Sequence, residues 1–193
     1  SMLSDPMNWV VRRTMLEVHQ PPMFEEWIEL TTWCSAIGAR WAERRTEIRG
    51  DRGAKIEAST VWVFVNGETG RPAKLPTDFF TIWGESAGDR QISARTTLPS
   101  RWPDNVNDEP WTVRFGDLDV LAHVNNAAQW VAVEEAMDRE GIATHPVRAE
   151  LEHGPGIERG TDVRLKWQQA DGGIDTWLTT DGVAGSVARV RPL

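Results

Sequence analysis

The sequence predicts an α+β fold: two similar sets of antiparallel strands with one long helix between them. Three observations carry this. Short apolar or alternating runs bounded by turn residues recur four times before residue 70 and four times after residue 146. Between these sets, Trp111–Gly141 (WTVRFGDLDVLAHVNNAAQWVAVEEAMDREG) switches from a strand-like period to a helical one. Finally, the order of strands and turns in the first half returns in the second. Val11-Arg12 matches Val147-Arg148, and Ile28-Glu29-Leu30 matches Val163-Arg164-Leu165 at a spacing of about 135 residues, which points to an internal duplication.

Taken in order, residues 1–8 are a polar lead-in without the apolar core of a signal peptide, and Ser1-Met2 reads as an expression remnant. Trp9–Val18 reads as a strand broken by Pro21-Pro22, and Trp27–Ile37 as a second. Arg40–Arg49 is a third, Asp51-Arg52-Gly53 a hairpin turn, and Lys55–Asn66 the fourth and most apolar strand. The segment 71–110 carries five prolines and reads as a linker, with a short amphipathic piece at Thr77–Trp83 and a strand at Gln91–Leu98. This organises the chain as a first repeat over 9–70, the linker, and a second repeat over 111–193.

The second repeat opens with a strand in which Trp111, Val113 and Phe115 alternate with Thr112, Arg114 and Gly116. After the polar turn at Asp117–Asp119 comes Asn125-Asn126, suited to accept from the unpaired amides of a first helical turn. From Ala127 the helical period puts Trp130, Val133 or Glu134, and Met137 on one face and turns Gln129, Asp138 and Arg139 away. Gly141 stops the helix. Pro146–His153, Thr161–Gln168, Thr176–Thr180 and Val183–Val190 follow as strands, with Asp-Gly hairpin turns at 171–172 and 181–182.

Composition narrows the function classes. A chain of 193 residues with 40% hydrophobic and 26% charged residues is an ordinary globular protein. Its net charge of −8 argues against nucleic acid or an anionic membrane as the main partner. No apolar run approaches the roughly 20 residues of a membrane span. The single Cys34 forbids an intramolecular disulfide and fits a reducing, cytoplasmic compartment. Eleven Trp without any Tyr suit core packing or an apolar tunnel. There is no glycine-rich phosphate loop, no nucleophile elbow and no His cluster at metal-ligand spacing, so no cofactor or metal is expected.

Chemistry concentrates at the strand-to-helix junction, which gathers Asp117, Asp119, His123, Asn125 and Asn126. A carboxylate beside an imidazole can activate water or attack an acyl carbon, and helix N-terminal amides can polarise a carbonyl. The alternative is that Asp117 and Asp119 only shape the turn. Asp119-Val120-Leu121-Ala122-His123-Val124-Asn125-Asn126, with Trp130 and Glu134 or Glu135 behind it, resembles the second hotdog repeat of acyl-ACP thioesterases.

That resemblance implies a tandem hotdog fold and hydrolysis of fatty acyl thioesters, acyl-ACP first and acyl-CoA second. Asp119 would be nucleophile or general base and His123 its assistant. The amides near Asn125, Asn126 and Ala127 would polarise the carbonyl, and the acyl chain would run past Trp130 and Val133. The family also places a Glu after the helix; aligned without gaps on Val163, Ile157 takes that position, and a one-residue shift gives it to Glu158. Leu121 stands where plant members carry a polar Asn of the catalytic network. A binding protein that holds the acyl thioester without cleaving it is therefore the alternative. A carrier protein is itself acidic, so docking calls on a basic patch, for which Arg12, Arg13, Arg40, Arg44, Arg45, Arg49 and Arg52 are candidates. The first repeat lacks the leading strand and helix of the second, so either a preceding segment or a neighbouring chain, as in a homodimer, is expected to cover its sheet.

Overall fold

The computed structural model describes residues 7–193; the lead-in over 1–6 lies outside the described residues. The chain forms two compact units. The first takes the described residues up to 15 together with 20–96, the second 16–19 together with 97–193.

In the first unit, β1 (Met7–Gln20, to residue 15), β2 (Ile28–Ile37), β3 (Trp41–Gly50) and β4 (Lys55–Asn66) lie in the order β2-β3-β4-β1. The β2–β3 and β3–β4 pairs are antiparallel, with Leu30 opposite Ile48 and Ile48 opposite Ile56. The turn joining β3 to β4 places Gly53 at φ 108, a conformation that favours glycine. Glu26 braces that turn, its carboxylate accepting from the amides of Met23 (2.7 Å), Arg52 (2.9 Å) and Ala54 (3.0 Å). These amide bonds, the Met23 one foremost, hold its pKa below the usual carboxylate range.

Helix α1 (Thr77–Ala87) corrects the expectation for the linker. The amphipathic piece at Thr77–Trp83 runs a further turn, and its Phe79 and Ala87 pack with Trp9, Cys34, Ile37 and Ala42. A helix thus does cover part of the first sheet, but it follows the four strands instead of preceding them. Burial pushes the Cys34 thiol pKa up.

The expected strand at Gln91–Leu98 does not form. Side chains satisfy that backbone in place of a ladder. Arg13 donates to the Ser93 and Arg95 carbonyls at 3.0 and 3.4 Å. Further on, the buried Glu152 carboxylate accepts from the amides of Thr97 (2.6 Å) and Leu98 (2.9 Å).

In the second unit the strand order is β6-β9-β8-β7-β5, with residues 16–19 of β1 beside β6. These strands are β5 (Asn107–Pro110), β6 (Val147–His153), β7 (Val163–Ala170), β8 (Gly173–Thr180) and β9 (Val183–Pro192), with helix α2 (Asn126–Arg139) between β5 and β6. The Asp171-Gly172 and Asp181-Gly182 turns have all four residues at positive φ, the geometry that two-residue hairpins require. One face of the sheet packs Leu151, Leu165, Ile174 and Val190 against Ala132, Val133, Ala136 and Met137 of α2. On the other face, Trp177 and Val187 pack under Leu98, Trp102 and Val106. With both faces covered, β8 is buried nearly throughout.

The strand expected at Trp111–Phe115 is displaced to β5. Pro110 lies opposite Arg164, and the Trp111 amide still donates to the Val163 carbonyl (2.8 Å). Val163 is where β7 begins, so beyond Trp111 there is no strand left to pair with. Trp111 and Val113 still pack against the core, whereas Phe115 turns outward, 80% exposed. No helix among the described residues is long and apolar enough to cross a membrane.

Candidate active site

Released from β7, the chain makes a 3₁₀ turn at Phe115–Asp117, where Asp117 accepts from the Arg114 amide (2.7 Å). Leu118 then pairs with Val124 and His123 with Glu158, both antiparallel. The loop thus doubles back on itself, and its returning limb lies against the segment that follows β6. The Val124 amide donates to the Ile157 carbonyl (2.8 Å), and the Asn125 amide to the Asp117 carbonyl (2.7 Å).

Asp119 closes this loop. Its amide donates to the His123 carbonyl (2.8 Å), while its Oδ1 accepts from the amides of Leu121 (2.8 Å) and His123 (3.2 Å). A carboxylate anchored through Oδ1 keeps Oδ2 available as an acceptor. The tight return places Ala122 at φ 63, a left-handed conformation that costs a residue with a Cβ.

The His123 imidazole turns toward Glu158, with Nε2 3.9 Å from Oε1; what Asp119 bonds is the His123 backbone. Gly156 permits this placement, because a Cβ there would meet the ring at 3.0 Å. The two alternatives for the family's Glu separate clearly. Ile157 is fully buried in the core, while Glu158 projects outward beside the imidazole.

At the start of α2, the Asn125 side chain accepts from the Ala127 amide (2.8 Å), so that amide is committed to the cap. Of the helical face expected from the sequence, Val133 and Met137 are buried, Trp130 is partly buried against the same core and Glu134 is exposed. Val133 is 3% exposed; an acyl chain reaching it would have to part α2 from the sheet. Glu135 pairs with Arg139 on the outer face.

Gln129 is the clearest correction. Expected on the outer face, it is 6% exposed. Its Nε2 donates to the Val124 carbonyl (3.2 Å), and its Oε1 meets Nδ1 of the buried His153 at 3.1 Å. This pair ties α2 and β6 to the loop carrying His123, one residue from Val124. The spacing of Gln129 from Val133 and Ala136 was the available signal, since those positions share a helical face.

The arginines proposed as a docking patch do not all share one face. Arg44 and Arg45 are consecutive in β3 and therefore project to opposite faces, and Arg49 is engaged by Glu47 and Glu57.

A long helix laid over an antiparallel sheet and entered through a doubled-back loop defines a protein of hotdog fold. The family models for the acyl-ACP thioesterase N-terminal and C-terminal domains match residues 2–83 and 101–188. The chain belongs to the acyl-ACP thioesterase family. It is 30% identical over 164 residues to an uncharacterised protein of Mycobacterium tuberculosis, covering 85% of this chain and 65% of that one. To the chloroplastic palmitoyl-acyl carrier protein thioesterase of Arabidopsis thaliana it is 29% identical over 133 residues, covering 65% of this chain and 32% of the plant protein. The chain therefore spans less than two thirds of the length of these relatives. Its fold matches the 12:0-ACP thioesterase from Umbellularia californica with a TM-score of 0.81 at 22% identity, covering 96% of this chain and 75% of that one.

Proposed function

We propose that this chain hydrolyses fatty acyl thioesters, with acyl-ACP as the substrate and acyl-CoA as its simpler analogue. The observation that carries the reading is the Asp119 carboxylate, fixed through Oδ1 by two backbone amides at the entry to α2. Family membership supports the same chemistry. The matched plant protein is named a palmitoyl-acyl carrier protein thioesterase.

In this reading Asp119 Oδ2 takes a proton from water as the water oxygen bonds to the thioester carbonyl carbon. The amides of Asn126 and Ala128, next to the one committed to the cap, face the developing oxyanion. Collapse of the intermediate breaks the carbon–sulfur bond, and His123, paired with Glu158, delivers a proton to the departing thiolate. The exposed side chains of Val120 and Leu121 flank Asp119 and offer apolar contact to the acyl segment nearest the thioester. Leu121 replaces a polar side chain of the family pattern, but its backbone amide supplies a hydrogen bond to Asp119.

The test is thiol release from a panel of acyl-ACP and acyl-CoA substrates. The proposal expects release of one thiol and one free carboxylate per turnover. Thermal stabilisation by the same substrates without thiol release would make the chain a binding protein. If Asp119 attacks directly, the thiolate leaves as an acyl–Asp119 anhydride forms, and hydroxylamine added during turnover traps it as a hydroxamate.

A further inference from the structure

The first unit contains an open cleft of about 830 Å³, within the size range of small-molecule sites. It lies on the side of β4 opposite α1. Phe64 packs on Trp9 at 5.1 Å, and Trp9 on Phe79 of α1 at 5.3 Å, whereas the neighbours Val63 and Val65 line the cleft, as strand alternation requires. Trp41 and Pro72 extend this apolar lining. The far wall, residues 92–95, is fastened by the two hydrogen bonds from Arg13 to the Ser93 and Arg95 carbonyls.

The cleft is also charged in one sense. Arg12, Arg40 and Arg95 line it, and no Asp or Glu is among the described residues that do. The whole chain carries 29 acidic against 21 basic residues, so a lining that includes arginines and no acidic side chain among the described residues runs against the general balance. Guanidinium groups bind carboxylates through paired, charge-assisted hydrogen bonds. An apolar floor beside them excludes a small inorganic anion as the best fit and favours an anion with a hydrocarbon tail.

We propose that this cleft binds a free long-chain carboxylate, with the head at Arg40 and Arg95 and the tail over Trp41, Val63 and Val65. Such a molecule is the product class of the proposed hydrolysis, and its role as a retained or sensed product rests on that reading. The binding itself does not.

Titration calorimetry with dodecanoate below its micelle concentration tests the binding. The comparison ligand is dodecyltrimethylammonium, which has the same tail and a cationic head. One saturable site for dodecanoate is expected, weakened by added salt and by at least about tenfold in Arg40→Ala/Arg95→Ala. A separate variant, Val63→Glu, introduces a like charge on the floor and should abolish binding, with its thermal midpoint confirming that it is folded. Equal affinity in the double arginine variant, equal binding of the cationic ligand, or no saturable site overturns the proposal. Thiol release is measured on the same samples. Arginine-dependent dodecanoate binding without any thiol release would sustain the cleft and remove the hydrolase reading. Thiol release with no dodecanoate site would do the reverse.

Discussion

Each unit has a run of four long strands, and the two differ in where the helix falls and how the chain enters it. In the first, α1 follows the strands, and the residue before it is Pro76, which makes no side-chain cap. In the second, α2 precedes the four strands and is entered through a doubled-back loop with a capping Asn125. That loop carries Asp119 and His123; the approach to α1 carries no comparable group. In the proposed reading the chemistry belongs to a helix entry braced on a neighbouring segment, here Gly156–Glu158, and not to the sheet that the two units share in pattern. The first unit is left with an arginine-lined cleft in place of such an entry.

The comparison can be broken most severely at the core beneath α2. Leu151 is fully buried there, and Leu151→Ala is expected to cost about 2–5 kcal/mol in urea unfolding of the second unit. A loss near zero would mean that α2 is not packed on β6 as described. Next comes the brace under the loop. Gln129→Leu deprives the buried Val124 carbonyl of its donor, an expected cost of about 1–3 kcal/mol. Thiol release should fall further than stability alone explains, because Val124 adjoins His123; an unchanged rate in the folded variant would remove Gln129 from the positioning role. Removing the cap by Asn125→Ala should cost about 1 kcal/mol, read from the thermal midpoint. An unchanged midpoint would show that the helix entry does not depend on this side chain.

Smaller effects sharpen the contrast. Ala122→Gly relieves a left-handed residue and should stabilise the chain by up to about 1 kcal/mol. The gain in loop freedom should lower turnover, so a stabilised and fully active variant would argue that the strain has no part in catalysis. The smallest effect is a pH dependence confined to the outer edge of the second unit. Burial raises the pKa of Asp108, but hydrogen bonds from Lys166 and Arg164 outweigh it and hold the pKa below the usual carboxylate range. Its folded value is depressed, so its contribution is present above the unfolded pKa and lost as pH falls through the folded one. Asp108→Asn should therefore reduce stability at neutral pH and flatten the acid limb of the stability profile. An acid limb identical to wild type would show that Asp108 is not linked to folding.

How legible this was in the sequence depended on whether the signal was local. The eight long strands, the helix from Asn126 and the Asp-Gly turns follow from periodicity and turn chemistry, and Lys55–Asn66 has the same bounds in the structure. The alternation at Trp111–Phe115 reports burial, which is real at Trp111 and Val113, and not the availability of a partner strand. That depends on where β7 starts, some fifty residues on. The polarity of Gln129 points it outward, its spacing from Val133 and Ala136 points it inward, and the spacing prevails. For Glu152 no signal existed: a buried carboxylate holding the Thr97 and Leu98 amides depends on a contact across more than fifty residues. The sequence names Asp119, His123 and Glu158 as candidates, whereas their geometry depends on contacts it does not display. The imidazole faces Glu158, and Asp119 is held by backbone amides.

The most direct test of the central claim compares thiol release by wild type and Asp119→Asn on the same acyl-ACP substrate, with thermal midpoints measured alongside. Asparagine retains an oxygen for the Leu121 and His123 amides, so the loop should persist while the base or nucleophile is lost. A fall of roughly 100-fold or more is expected, with the midpoint little changed. A folded Asp119→Asn variant that releases thiol at the wild-type rate would contradict the claim.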